Sequence, residues 1–486
     1  MLGSLARTAL LVCCSLAAWA ETGSRACAPC HAEIFEKFAR TGMARSSGRT
    51  GDGFEKFNAA EFRAGRISYT VNPSYSVSFT SGAVKGTFPM EWFIGSGTVG
   101  RSYAGTVDGF LFQSPASYYS ARKAWGLSPG FSAKPFVDVA RPIESACLQC
   151  HASGARAVAG NQYGDPPFAE GGVSCERCHG AGDAHVAGRG TMVNPAKLPA
   201  ARRDSVCQQC HLTGAARVAQ TGRGPETFRA GDLLADHVMV FVWNRAAAER
   251  AATDHAEQLA RSRCQQAAGD RLWCGSCHDA HTGSTRLAAC RDCHQPHAKG
   301  GADCAGCHMP KRRSREGEHV VYTDHTISRK PGVRDTGVQV LQAFRGMTPS
   351  DRDWALAEPT KRVRLLEQLA ARPDAGAAVL VQLAQIYDER GKGEPLYERA
   401  LVLEPEHATA RANLAIYRMR AGKTAEAISL WAGVFAGNPG MLQAGLNLAM
   451  GQLRVGANAS AAATLRRLLR FHPDSAQARE LLASLP

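Results

Sequence analysis

The apolar positions of this chain follow different rhythms in different stretches. Near the start, Ile67-Ser68-Tyr69-Thr70-Val71 and Tyr75-Ser76-Val77-Ser78-Phe79 alternate apolar with polar residues around Asn72-Pro73-Ser74. That period of two predicts two short strands joined by a turn, within a small β-rich insert over about residues 60–130. At the far end the rhythm is helical and repeats. Pro405, Pro439 and Pro473 recur every 34 residues, as do Gly422 with Gly456 and Leu414 with Leu448. Leu383 with Tyr387, and Leu414 with Tyr417, fall at helical spacing before a glycine turn, and Ala-rich second helices closed by Pro follow. An interval of 34 is the tetratricopeptide period, two helices per repeat stacked into an α-solenoid. The first repeat is three residues short between Gly391 and Pro405, and a helical lead-in from about Ser350, with Trp354 and Leu365 to Leu369, supplies packing for it.

From Ile143 to His325 neither rhythm holds, and what recurs is Cys-x-x-Cys-His. The motif occurs seven times: Cys27, Cys30 and His31; Cys147, Cys150 and His151; Cys175, Cys178 and His179; Cys207, Cys210 and His211; Cys274, Cys277 and His278; Cys290, Cys293 and His294; Cys304, Cys307 and His308. Two thiols at this spacing add to the two vinyl groups of one porphyrin, and the adjoining His ligates its iron. Zinc knuckles and disulfides also use paired Cys, but they do not require the fifth residue. With His at 16 of 486 positions, a chance His after all seven pairs has odds on the order of 10⁻¹¹. The cofactor expected is heme c, seven copies, covalently bound. Motifs this crowded leave little chain for a conventional core, so the porphyrins supply much of the buried apolar surface and the region is expected to be unfolded without them.

The N-terminus agrees with that chemistry. Arg7 precedes an apolar run from Ala9 to Ala18, and Ala18-Trp19-Ala20 before Glu21 has the form of a cleavage site. The run is short for a membrane anchor, and Val12 is a poor neighbour for lipidation at Cys13. A cleaved signal over residues 1–20 and a periplasmic or otherwise exported protein, with no transmembrane segment in the mature chain, are expected. Cys13 and Cys14 leave with the signal, fourteen Cys serve haem, and Cys264 is left over: a reactive thiol, an intermolecular link or, as favoured here, a buried inert residue. The formal charge of +14 does not by itself signify nucleic acid, because the propionates of seven haems bring up to about −14. Lys311-Arg312-Arg313-Ser314-Arg315 serves propionates, docks an acidic redox partner or is an ordinary solvated face. Gly95-Ser96-Gly97-Thr98-Val99-Gly100 matches a dinucleotide fingerprint, but no opening helix or following acidic residue is evident, and Tyr103, Pro115 and the aromatic, turn-rich stretch through Trp125 lead to an expectation of irregular structure instead.

Histidine counting bears on the second axial position. Without the motif His and the repeat residues His407 and His472, seven remain: His185, His237, His255, His281, His297, His319 and His325. Seven spare imidazoles for seven irons suggest bis-His, low-spin centres suited to electron transfer. His281 and His297 follow a motif His by three residues and His185 by six, too close to reach across their own porphyrin, so each is expected to cap a neighbouring haem. Met43 competes as a ligand for the first haem.

Cys175-Glu176-Arg177-Cys178-His179-Gly180 with His185, Cys274 to His281, and Cys304 to Pro310 followed by His319 and Thr323-Asp324-His325 resemble the doubled-CxxCH multihaem cytochromes related to cytochrome c nitrite reductase and hydroxylamine oxidoreductase. More closely, the chain resembles the family that joins such modules to tetratricopeptide repeats. The cytochrome resemblance covers about residues 24–330 and the repeat resemblance most of the remainder. It implies either a pure electron carrier or an enzyme with one open haem. The nitrite reductases carry CxxCK at the catalytic haem, and this chain has none.

The expected fold is mainly α: an irregular heptahaem cytochrome c domain over 21–328 with its small β-rich insert, a linker over 329–349, and a tetratricopeptide α-solenoid over 350–486. The expected function is relay of electrons in a respiratory or redox chain, with a redox partner protein docked on the repeats and no nucleic acid. The alternative is an oxidoreductase reducing a small nitrogen or sulfur oxyanion at one open haem. A third reading, a scaffold with structural haems, requires far fewer than seven.

Overall fold

The computed structural model describes residues 22–52, 57–133, 137, 139–245, 251–295, 303–315, 320–329 and 338–485. The expected signal and the candidate ligands His297 and His319 lie outside the described residues.

The alternating segments form strands Ile67–Asn72 and Ser76–Ser81, paired antiparallel with Val71 opposite Val77. Ala60–Ala64 and Val84–Pro89 flank them in a four-stranded meander. Ile67, Tyr69, Val71, Val77 and Phe79 point to one face, as the period of two dictates, and are all buried. They pack with Phe93, Tyr103 and Phe112 from a second, seven-stranded antiparallel sheet. In that sheet Ser47–Arg49, Trp92–Ile94, Gly100–Val107, Phe110–Tyr119, Gln162–Gly171 and Ala152–Ala159 lie side by side, and Ala124–Leu127 also pairs with Phe110–Tyr119. The glycine fingerprint is the turn between Trp92–Ile94 and Gly100–Val107, with no helix opening there. A third sheet joins Ala216–Ala219, Val238–Trp243 and Leu341–Ala343.

The expectation of a mainly α chain is therefore corrected. Among the described residues 42% are helical and 21% are in strands, with sheets running well past the expected insert. The strands around residues 152–171 and 216–243 owe their state to pairing with neighbours distant in sequence, and β-propensity is largely a measure of that context.

The C-terminal part is helical throughout. Helix pairs Ala377–Asp388 with Glu394–Leu403, Ala408–Arg420 with Thr424–Gly437, and Leu442–Arg454 with Asn458–Phe471 stack in succession, and Ala476–Ala483 follows. Gly422 and Gly456 sit between paired helices at φ +78° and +75°, a left-handed conformation that glycine adopts without the Cβ penalty. Both ends of the array pack on the rest of the molecule. At one end Trp354, on helix Asp351–Ala357, meets Phe241 of the third sheet edge-on at 4.7 Å. At the other, Phe471 enters the core between the first two sheets, 5.4 Å from Phe112. Arg467 and Arg470 close that junction on Asp108.

Candidate haem centres

Five of the motifs lie on short helices within 145–308, three of them being Ser145–His151, Ala200–His211 and Cys304–His308. Such segments fix the Cys and His on successive faces of a turn, and the backbone bond from His31 N to the Cys27 carbonyl (2.9 Å) closes the same turn at the first motif. Some motifs rest on protein cores: Leu148 packs with Trp92, Leu111 and Phe168, and Leu212 with Phe228, Val238 and Val240. The later ones do not. Between Ala256 and Leu341 the buried apolar side chain among the described residues is Tyr322. A stretch bearing three haem motifs thus has almost no core of its own, which fits porphyrins as the missing apolar material.

The imidazoles fit iron equally well. Nδ1 of His179 donates to the Val193 carbonyl (2.7 Å), that of His185 to Gly190 (3.0 Å), that of His308 to Ser328 (3.0 Å) and that of His325 to Thr323 (2.8 Å). Each bond fixes the tautomer and ring orientation and makes Nε2 the nitrogen suited to bind metal. With metal–nitrogen bonds of about 2 Å, two imidazoles facing each other across one ion hold their ring centroids about 6 Å apart. His31 and His185 are stacked at 6.3 Å, His179 and His281 at 5.9 Å, and His278 and His325 at 6.1 Å. His211 and His255 lie at 5.4 Å, tilted by 34°, but their Nδ1 atoms are 3.3 Å apart, a direct contact between the rings, and His255 lies 4.6 Å from His325 as well. Each pair couples a motif His with a spare one, and His185 and His281 both face a haem motif other than the one they follow. It is His185, rather than Met43, that stacks on His31.

Burial keeps several of these rings neutral, the form that ligates. It lowers His151, His211, His278 and His325, and His255 falls to about 3 through burial and the nearby His325 and His211. His237 is placed differently. Its Nδ1 meets the Thr227 hydroxyl (2.7 Å), its Nε2 meets Asp232 (3.1 Å) and its ring packs on Phe228, so both nitrogens are engaged within a protein core.

The motifs themselves adjoin one another. Cys27 lies against Cys175, and burial together with that neighbour pushes its thiol up to about 11. Cys150 is drawn down to about 7 by the hydrogen bond with Cys210, and Cys207 bonds to Cys274. Cys178 is close enough to perturb both Cys207 and Cys210, Cys290 to perturb Cys277, and Cys304 to perturb Cys290. The fourth motif, with both its Cys on one helix, thus touches the second, third and fifth. None of the described Cys forms a disulfide.

Three further features surround the motifs. The Glu176 carboxylate accepts from Thr22 N (3.1 Å), Gly23 N (3.0 Å) and Gly182 N (2.7 Å), tying the start of the described chain to the third motif. A cavity of about 700 Å³ beside Ser47–Arg49 is lined by Arg45, Arg49 and Arg101 with Asp52, Trp92 and Phe93. Lys311–Arg313 forms a strand against Val321–Thr323, with Arg312 paired to Asp324 (2.5 Å), so the basic run shapes the loop that carries His325. Only the basic run had a signal in the sequence.

Comparison with known proteins agrees in outline. The family model described as cytochrome c554 and c-prime matches residues 131–180, and a tetratricopeptide repeat model matches residues 418–485. The chain therefore combines a c-type cytochrome segment, which implies heme c, with a repeat segment of a kind that mediates contacts between proteins. Among solved structures, MamA is 22% identical over 28% of this chain and 85% of its own, with a TM-score of 0.25. YrrB, a repeat protein with an unusual peptide-binding site, is 19% identical over 27% of this chain and 69% of its own, with a TM-score of 0.24. The outer cell wall cytochrome OcwA is 14% identical over 81% of this chain and 99% of its own, with a TM-score of 0.43. No match was found among curated proteins. No helix among the described residues is long and apolar enough to cross a membrane.

Proposed function

We propose that this chain is an exported heptahaem c-type cytochrome that relays electrons between redox partners. The observation that carries the reading is the double continuity of the motifs: their thiols adjoin in the succession one, three, four, five, six, seven, with two joined to four, and spare His from one motif's neighbourhood face the motif His of another. Bound haem supplies a one-electron iron couple. The chain's residues do the rest. Fourteen Cys would tether the porphyrins, the seven motif His would hold the irons, and His185, His281 and His325 would close three of them against other ligands. Nδ1 bonds orient His185 and His325, and burial keeps His325 neutral. His255, His297 and His319 remain candidates for the others, and the repeat array is the proposed docking surface for the partner. The run of residues 9–18 is the proposed export signal.

The test is a haem count by intact mass and peptide mapping, with low-temperature EPR of the oxidised protein and a carbon monoxide titration of the reduced one. Seven haems, low-spin signals alone and no carbon monoxide uptake are expected. Fewer than seven tethered porphyrins, or porphyrin missing from any motif, would overturn the heptahaem relay.

A second reading is favoured by the second motif. The His151 Nδ1 is buried without a hydrogen-bond partner, and no spare His among the described residues stacks on that ring. Ser46, which donates to the His151 carbonyl (2.9 Å), is flanked by lining residues of the arginine-walled cavity. Three guanidiniums against one carboxylate suit a small oxyanion, so reduction of a nitrogen or sulfur oxyanion there is the alternative. Carbon monoxide binding to one haem, abolished by Cys147→Ala with Cys150→Ala, would select it.

A further inference from the structure

Cys264 is the thiol that the haem motifs leave over, and the structure sets it at one of them. It sits on helix Arg263–Ala268, whose start is fixed by Ser262, a fully buried residue that accepts from Gln265 N. From there its Sγ lies 3.9 Å from Nε2 of His294. Nε2 is the nitrogen opposite the bonded Nδ1 in His179, His185 and His325, and His294 closes the sixth Cys-x-x-Cys-His motif, an independent mark of an iron at that position. Metal bonds of about 2.0 Å to imidazole and about 2.3 Å to thiolate span about 4 Å across one ion. The separation between Sγ and Nε2 is of that size.

We propose that Cys264, as thiolate, is the second axial ligand of the haem at His294, making one His/Cys centre in a wire that is otherwise built on imidazole. The inference rests on the heptahaem reading. On ligation the thiol gives its proton to solvent, which its half-exposed position permits, and the sulfur lone pair forms the bond to ferric iron. No electron is transferred in that step. An anionic, strongly donating sulfur favours the ferric state over the ferrous one.

The test uses full-length, haem-loaded protein, with low-temperature EPR and near-infrared magnetic circular dichroism of the wild type, Cys264→Ser and Cys264→His. In the wild type, one ferric low-spin haem of the set shows the narrow g-spread and charge-transfer band of thiolate ligation. Cys264→Ser removes that signal and leaves the others in place, and those unchanged signals report that the variant is folded. Cys264→His moves the same centre into the bis-imidazole group. A wild type without a thiolate signal, or a Cys264→Ser spectrum identical to it, overturns the proposal. So does full alkylation of Cys264 by iodoacetamide in the oxidised protein with no spectral change. Peptide mapping that finds no porphyrin on Cys290 and Cys293 overturns the ligation and the heptahaem count together, whereas a loaded sixth motif without the signal overturns the ligation alone.

Discussion

His281→Ala separates assignment by space from assignment by sequence. His281 follows the motif residue His278 by three positions, yet its ring stacks on His179 at 5.9 Å and 12°. The substitution should therefore open the third haem and leave the fifth, capped by His325 at 6.1 Å, untouched. The expected readout is one further equivalent of carbon monoxide per chain in the reduced protein, about one seventh of the haem, with a matching high-spin signal in the oxidised form. Stability should fall as well. A link between His179 and His281 closes a loop of about 100 residues, worth about 4.7 kcal/mol in the chain-entropy model, and links inside the same stretch shorten the effective loop, so about 3–4 kcal/mol is expected. Denaturant unfolding followed in the Soret band measures that difference.

The control removes the third haem. In a Cys175→Ala, Cys178→Ala background the extra carbon monoxide site of His281→Ala should vanish, a double-mutant cycle in which two perturbations act on one centre. Uptake that persists in that background would assign His281 to another haem. Absence of any new uptake in the single variant would mean that His281 ligates nothing, and the spacing argument between ring centroids would then lose its force for the His31–His185 and His278–His325 pairs as well.

Phe471→Ala removes a side chain that is 1% exposed from the core between the two large sheets, at a cost of about 3–5 kcal/mol; calorimetry should show the sheets and the repeats losing stability together, and fraying confined to the last repeat would refute their shared core. Glu176→Ala strands three backbone N–H groups, each costing about 1–3 kcal/mol if left unpaired, and should expose the segment around residues 22–30 to thermolysin while the repeats stay protected. Protein made without haem attachment should keep amide protection in the repeats and the paired large sheets but lose it over 263–329, where Tyr322 is the buried apolar residue among the described ones; protection there equal to the holoprotein's would refute the porphyrins' part in the core.

Legibility in the sequence followed how local the determining interactions are. The strand pair around Asn72-Pro73-Ser74 was readable because Ile67, Tyr69, Val71, Val77 and Phe79 alternate and the turn lies between them. The repeats were readable because a 34-residue interval is carried by Gly and Pro, whose conformational demands do not depend on neighbours. Gly100–Val107 and Ala152–Ala159, by contrast, are rich in Gly, Ala and Ser and carry no alternation strong enough to announce a strand; they are held by partners across the sheet. The same division applies to the centres. The motif Cys and His are local signals. The spare His could be counted, but which iron each one faces depends on contacts such as His31 with His185 and His278 with His325, and no spacing rule encodes those. The contact of Cys264 with His294 is of the same kind, since nothing near Cys264 in sequence places His294 beside it.

The placement of the repeat array follows from where this protein has a core. The paired sheets around Val71, Phe79 and Phe112 are held by apolar side chains, and so is the third sheet around Val240 and Phe241. The stretch from the fifth to the seventh motif is not. A relay requires centres at fixed separation, and a segment that depends on its cofactors for burial cannot by itself fix the ends of the molecule. The array joins the two protein-cored regions, through Trp354 on Phe241 at its start and Phe471 beside Phe112 near its end. Each contact buries an aromatic against an aromatic, and Asp108 adds charge pairing with Arg467 and Arg470 at the second. Stacked helices transmit that constraint because each repeat packs on the next. On the proposed function, the array sets the separation of the two regions of the relay.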